Sequence, residues 1–320
     1  MAVIVEGKIT MLQTYTFGEM RLTWLRGADK YTDAGTLFGP VPKAVWSRFY
    51  PTTEDGLMAD VTDPILIAYR GKHYLIDTSL GTEKLDAKLR RNLGVLSENR
   101  VLESLACLGL GPEQIDVVMM THMHNDHAGG LTRLVDGQLV PTFPNAVIYI
   151  NEIEWEEVRH PNPRTRATYL RENWEAIQDQ VQTFGESFTV TDGIEMHRTG
   201  GHSNGHCLIL LKQAGETIIH MADTILTHVH RNPLWVAAVD DYPMDSIAAK
   251  QKWVTEAYEN GYTFLFYHDP FYALLKFDST GQEVVACLER FRKPLVPFTD
   301  KQDKRLEVPD RAKLPIVTLG

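Results

Sequence analysis

The chain has 320 residues, of which 43% are hydrophobic and 23% charged, and its formal net charge is −10 at pH 7. That length allows a large buried core in one domain or two, and the composition is ordinary for a globular enzyme. The acidic balance, with no basic stripe to displace counterions, excludes nucleic acid as a partner.

Three cysteines, Cys107, Cys207 and Cys287, are odd in number, far apart and without a C-x-x-C pair. Neither a disulfide framework nor a thiolate metal site is expected from them. Cys207 heads an apolar run and reads as a buried thiol. Residues 1–8 lack the basic and apolar regions of a leader. No stretch reaches the ~18 apolar residues of a membrane span. The expected setting is a reducing cytoplasm with no membrane partner.

Residues 27–60 are rich in Gly, Pro and aromatics and read as an irregular flap near the active site. Residues 64–69 and 73–77, parted by Arg70-Gly71-Lys72, read as a hairpin. Val101, Leu102, Leu105 and Leu108 mark an amphipathic helix that ends near Gly109 and Gly111. Residues 115–120 form a buried strand running into His122, and residues 146–150 form another. Helical stretches are expected at 152–159 and 166–181.

The second half repeats this logic. Residues 194–198 are a strand leading through Thr199-Gly200-Gly201 to His202, and 207–211 with 217–221 are a hairpin ending at Asp223. Residues 246–258 read as a helix, and 262–267 as a strand delivering His268. The tail, 294–320, is charged and Pro-punctuated and is expected along the surface. No linker appears, so a single α/β domain over 1–320 is expected. Each chemically interesting residue falls just past a strand end, where loops on a rigid sheet carry function.

Chemistry concentrates in His122-Met123-His124-Asn125-Asp126-His127, an H-x-H-x-D-H run flanked by apolar 117–120 and small Ala128-Gly129-Gly130. Imidazoles at i and i+2 converge on one cation when the backbone between them is extended or turning. The Asp-His pair behind them can face a second cation. With His202, Asp223 and His268 the set reaches five histidines and two carboxylates. One divalent ion takes roughly four to six ligands, so the set suits two ions sharing a carboxylate. A paired site of that kind is built for hydrolysis. Such N/O donors accept Zn, the first expectation, and equally Mn, Fe or Co. The other histidines read as surface or satisfied core groups, with His206, His228 and His230 as candidates for the rim.

The run Thr121 to Gly130, with Ile76-Asp77-Thr78, Gly201-His202-Ser203, Asp223 and His268, resembles the metallo-β-lactamase superfamily. The resemblance implies an αββα sandwich with two metal ions at one edge. It implies that His122, His124 and His202 hold one ion, that Asp126, His127 and His268 hold the other, and that Asp223 bridges. His124 stands where flavodiiron-type sites have Glu, and Asp223 where thiolate-ligated β-lactamases have Cys.

Residues 37–43, 167–178 and 228–235 are similar to YtnP-like quorum-quenching lactonases. That similarity implies ring opening of N-acyl-homoserine lactones by a hydroxide between the metals, with Asp126 shuttling the proton and Asp77 orienting a ligand. It also implies a homodimer. The alternative is a phosphotriesterase or arylesterase of the methyl-parathion-hydrolase type. The better-known lactonase has a Tyr three residues past the bridging Asp, where this chain has Leu226. Phe38, Trp46, Phe49, His230, Leu234, Trp235 and Phe271 are expected to line an acyl-chain groove.

Overall fold

The computed structural model describes residues 4–5, 8–9 and 11–320. The absence of a leader was expected from residues 1–8, of which 1–3, 6 and 7 lie outside the described residues. The chain divides into two compact units. One comprises residues 1–30, 62–188 and 317–320, and the other 31–61 and 189–316.

The first unit is built on an eight-stranded mixed sheet. Its strand order is Val181–Phe184, Val147–Asn151, Val117–Met119, Lys72–Ile76, Ile65–Tyr69, Met20–Trp24, Leu12–Phe17 and Val317–Leu319. The expected hairpin pairs Ile65 with Ile76 and turns through Arg70 and Gly71, at φ 48° and 73°. Two positive φ values in a two-residue turn match the right-handed twist of the strands. The strand Val117–Met119 runs parallel to both neighbours, and a parallel pair needs a crossover. The helix Val101–Cys107 lies in the crossover that precedes it, and Glu152–Arg159 follows the next strand. The Asn151 side chain starts that second helix by accepting from the Ile153 amide. Leu75, Leu105, Val118, Ile148, Val158 and Ile177 are among the residues of this unit's core.

Residues 166–181 are not the single helix their pattern predicts. They form three short 3₁₀ turns, Thr165–Ala167, Arg171–Asn173 and Glu175–Gln180, with Leu170 extended at ψ 126°. Tethers outside the segment account for the break. The Tyr169 hydroxyl donates to Glu154, Lys84 donates to the side-chain Oδ1 of Asn173, and the Gln180 side-chain Nε2 donates to the backbone carbonyls of Phe143 and Ala146. Each tether fixes its residue in a place that one continuous helix would not reach.

The second unit carries a seven-stranded sheet, in which Glu216–His220 and Thr263–Leu265 run parallel. Their crossover is the helix Pro243–Glu259, with Pro243 in its first turn, where no amide partner is lost. Its buried residues Ser246, Ala249, Lys250, Trp253, Val254 and Ala257 recur every three or four positions, as one inward face requires.

Two expectations are corrected here. Residues 27–60 are mostly ordered: Asp29–Asp33 and Leu57–Val61 pair, and Ala34–Phe38 and Lys43–Trp46 are helical. The tail, exposed or half-buried over most of residues 294–320, is tied down, since the Leu314 amide donates to Cys287, Ala312 is buried and Val317–Leu319 forms a sheet edge. Four of the seven residues expected along an acyl-chain groove are packed into the core instead. Phe38 stacks on Trp46 at 4.7 Å and on His230 at 5.0 Å, and Phe38, Trp46, His230 and Phe271 are all buried in this unit. Phe49 and Trp235 meet edge-on at 5.3 Å and pack partly buried against the same core, while Leu234 is 66% exposed. Large aromatic area gains most when fully removed from water, and that outcome prevails here. Cys207 and Cys287 are buried free thiols. Among the described residues no helix is long and apolar enough to cross a membrane.

His230 is held as a neutral ring. Its Nε2–H donates to the Leu37 carbonyl at 3.0 Å, and Nδ1 accepts from the Thr227 hydroxyl at 2.8 Å. Burial, then the Lys250 charge, pushes its pKa down to about 3. A histidine depressed in the folded state favours folding fully above its unfolded pKa of about 6.5. It loses that contribution as pH falls toward 3, at about 1.4 kcal/mol per pH unit. In denaturant melts at pH 7, 6 and 5, stability should fall more steeply with falling pH in the native chain than in His230→Gln. Equal slopes in both would mean that His230 takes up a proton while folded.

Candidate metal centre

In the first unit the strand Val117–Met119 ends two residues before Thr121, and the turn that follows is organised by Asp77. Asp77 is fully buried and sits at φ 54°, a conformation unusual for a residue other than glycine. Its Oδ1 accepts from the Thr121 amide at 2.8 Å. Its Oδ2 accepts from the Thr121 hydroxyl at 2.7 Å and from His127 Nδ1–H at 2.8 Å. The Thr78 amide and hydroxyl both donate to the His127 carbonyl, at 2.7 Å each. The His127 ring is thereby fixed with Nε2 turned away from Asp77.

His124 precedes the one-turn helix Asn125–Ala128, and its carbonyl accepts from the His127 and Ala128 amides. The ring of His122 lies 4.6 Å from that of His124 and 4.0 Å from that of His127. Ligand atoms of His122 lie within 4.8 Å of ligand atoms of His124 and His127, and those of Asp126 and His127 are equally close. Buried Glu154 holds the Met123 amide at 2.8 Å and accepts from Tyr169, whose ring stands 5.4 Å from His124. Gly129 and Gly130 pass so close to the neighbouring loop that a Cβ would meet the Gly81 amide at 2.1 Å and the Thr78 carbonyl at 2.1 Å. The small residues behind the histidines are required by that approach.

The second unit supplies its own set. Gly201, at φ 93°, lets the loop reach the start of the helix Pro243–Glu259, where an added Cβ would meet the Ser246 amide at 2.6 Å. His202 follows, its Nδ1 on Asp240 at 2.9 Å and its Nε2 3.3 Å from Asp223 Oδ2. Asp223 Oδ1 is 3.1 Å from His268 Nε2, so the carboxylate offers one oxygen to each imidazole. His268 Nδ1 lies 2.8 Å from Asp60 Oδ1 and 2.9 Å from the Val61 carbonyl, and Thr32 donates to the other Asp60 oxygen. The Asp223 amide donates to His206 Nε2 at 3.2 Å, and Ala222 before it is held at φ 44°. Backbone strain of that kind costs about 1–3 kcal/mol and persists where surrounding contacts over-determine it.

Charge follows from these contacts. Burial alone would lower the pKa of His268, but the Asp223 and Asp60 carboxylates outweigh it and raise it well above the ordinary value. Burial would raise Asp240, yet the His202 hydrogen bond and charge hold it below its ordinary value.

His127, His202 and His268 each turn Nδ1 to a carboxylate. That arrangement fixes tautomer and orientation in metal-ligating imidazoles, so the donors present fit divalent ions. The described residues thus include histidine and aspartate groups able to hold metal.

Of the supporting residues, Asp77 was legible beforehand. Asp60, Asp240 and Glu154 were not, since nothing local distinguishes them, and His206 was singled out only for the rim. His206 and His228 are buried away from any rim, and His228 is held by Asp269 at 2.6 Å. Leu226 is buried in the core.

Residues 58–260, more than half of the chain, match the model of the Metallo-beta-lactamase superfamily, and the chain belongs to that superfamily of hydrolases. Its mixed α/β architecture is the metallo-β-lactamase fold. The crystal structure of a probable metal-dependent hydrolase from Staphylococcus aureus is 37% identical, with a TM-score of 0.84 over 87% of this chain and 100% of that one. An N-acyl homoserine lactonase of Bacillus cereus is 29% identical over 121 residues, 36% of this chain and 40% of its own length. A hydroxyacylglutathione hydrolase of Aeromonas hydrophila is 29% identical over 127 residues, 40% of this chain and 39% of its own. The match therefore spans about two-fifths of the length of these two curated relatives. Those relatives give no support to the expected homodimer.

Asp77→Asn tests the organising role of this carboxylate. An amide in its place turns an NH₂ toward donors that need an acceptor, and burial prevents water from repairing the loss. Chemical denaturation should register a loss of about 2–4 kcal/mol. An unchanged midpoint would show that Asp77 is dispensable to the turn.

Proposed function

We propose that this chain is a dinuclear-metal hydrolase that opens the lactone ring of N-acyl-homoserine lactones. His122, His124 and His202 would hold one ion, Asp126, His127 and His268 the other, and Asp223 would be shared. The observation that carries this reading is the split Asp223 carboxylate, with one oxygen near His202 Nε2 and the other near His268 Nε2. Two ions, when bound, supply Lewis acidity and lower the pKa of bound water to about 7. Zinc is the first expectation for this donor set.

The chain's own residues orient and protect. Asp77, Asp240 and Asp60 hold three imidazoles by Nδ1, which would leave Nε2 to an ion when one is bound. His206 steadies the Asp223 backbone. Asp126 is the residue assigned to carry the proton toward the leaving alkoxide. With Leu226 where the better-known lactonase has a tyrosine, no phenol from that position would assist the carbonyl. The lactonase relative supports a lactone substrate. The hydroxyacylglutathione hydrolase relative, equally similar over a comparable length, favours a thioester as the second reading. A phosphotriester remains the third, on the notion that one scaffold serves several electrophiles.

The purified chain should carry close to two transition-metal ions, and Asp223→Ala should lose metal and turnover together. His124→Ala should cost at least ~10²-fold in kcat/KM, whereas His160→Ala, exposed and paired with Glu156, should be nearly silent. The substrate is decided by kcat/KM for N-hexanoyl-homoserine lactone beside an S-acylglutathione and a paraoxon-type phosphotriester. Efficient turnover of either rival with negligible lactone opening would overturn the lactonase reading.

A further inference from the structure

Lys30 lies 96 residues from Asp126 in sequence, and nothing in the metal-binding motif calls for a cation there. Yet its Nζ stands 2.6 Å from Asp126 Oδ2, with only 11% and 14% of the two side chains exposed. The other oxygen, Oδ1, lies 4.0 Å from His127 Nε2. The carboxylate is therefore divided between an ammonium on one side and an imidazole on the other.

Lys30 itself is held in place. It belongs to the strand Asp29–Asp33 and bridges Val95, while the Leu96 amide and the Ser97 hydroxyl both reach Asp29 beside it. A lysine so anchored keeps its charge on Asp126 rather than sampling solvent.

We propose that Lys30 is a positioning residue for Asp126. It reserves one carboxylate oxygen and makes the Asp126–His127 side the weaker, more readily exchanged half of the dinuclear centre. The inference rests on the metal-centre reading. Its physical basis is that an ammonium in contact with a ligand carboxylate neutralises part of the negative charge that attracts a cation. It also leaves Oδ1 alone to face that cation. The half with the reduced ligand charge keeps room for a substrate oxygen.

The test is a chelator titration of the zinc-loaded full chain, with ions per chain read by mass spectrometry. The native protein should lose its two ions in two steps. Lys30→Met should move the first step to about 10-fold higher chelator, toward the second, because Asp126 regains its full charge and both oxygens. Lys30→Arg should restore the native profile. Lys30→Gln, which keeps a donor near Oδ2 without the charge, should shift in the same direction as Met, and it serves where Met impairs folding. A first step in Met and Gln at or below the native midpoint overturns the role of Lys30 while leaving the metal centre intact. A native chain that never holds two ions overturns the metal-centre reading, and this inference with it.

Discussion

An imidazole offered to a cation by one nitrogen must be held by the other, and burial leaves only a strong acceptor able to do that. Asp77 meets this need at the hinge of the first unit. It is fully buried at positive φ and grips both Thr121 and His127. The turn that carries His122, His124, Asp126 and His127 is therefore shaped by one carboxylate that touches only one of them directly. The cost of burying that charge is offset by three donors, which is the condition under which a buried ion is tolerated.

The second unit solves the same problem by different means. His202 is backed by Asp240 from the loop before the long helix, and His268 by Asp60 from a strand 208 residues earlier. Asp223 then lies between the two Nε2 atoms, its backbone steadied by His206. Each supporting carboxylate comes from an element whose position depends on the core, so packing and ligand geometry are coupled. The stacked aromatics Phe38, Trp46 and His230 are buried in that unit.

Strand-end loops explain why so much of the candidate site could be anticipated. Residues 65–69, 72–76, 117–119, 194–198, 207–213 and 216–220 are strands close to where alternation and apolar runs placed them. The two places where pattern failed share a cause. Residues 166–181 have helical spacing but are pinned at Tyr169, Asn173 and Gln180 by distant partners. Residues 27–60 look irregular by composition but are ordered by pairing and by aromatic burial. Local propensity is worth tenths of a kcal/mol per residue, and a few buried tertiary contacts outweigh it.

By itself the sequence determined the kind of chemistry: three histidines and an aspartate within six residues, at a spacing that converges when the backbone turns, with further ligands expected past later strands. That much is local, since it depends on residue type and on the period of an extended chain. Only the tertiary structure decided which carboxylate supports which imidazole, that Lys30 sits on Asp126, and that the flap aromatics are core. Those contacts join residues dozens to hundreds of positions apart. Their pairing depends on how the sheets and helices pack, and no short stretch of sequence records it.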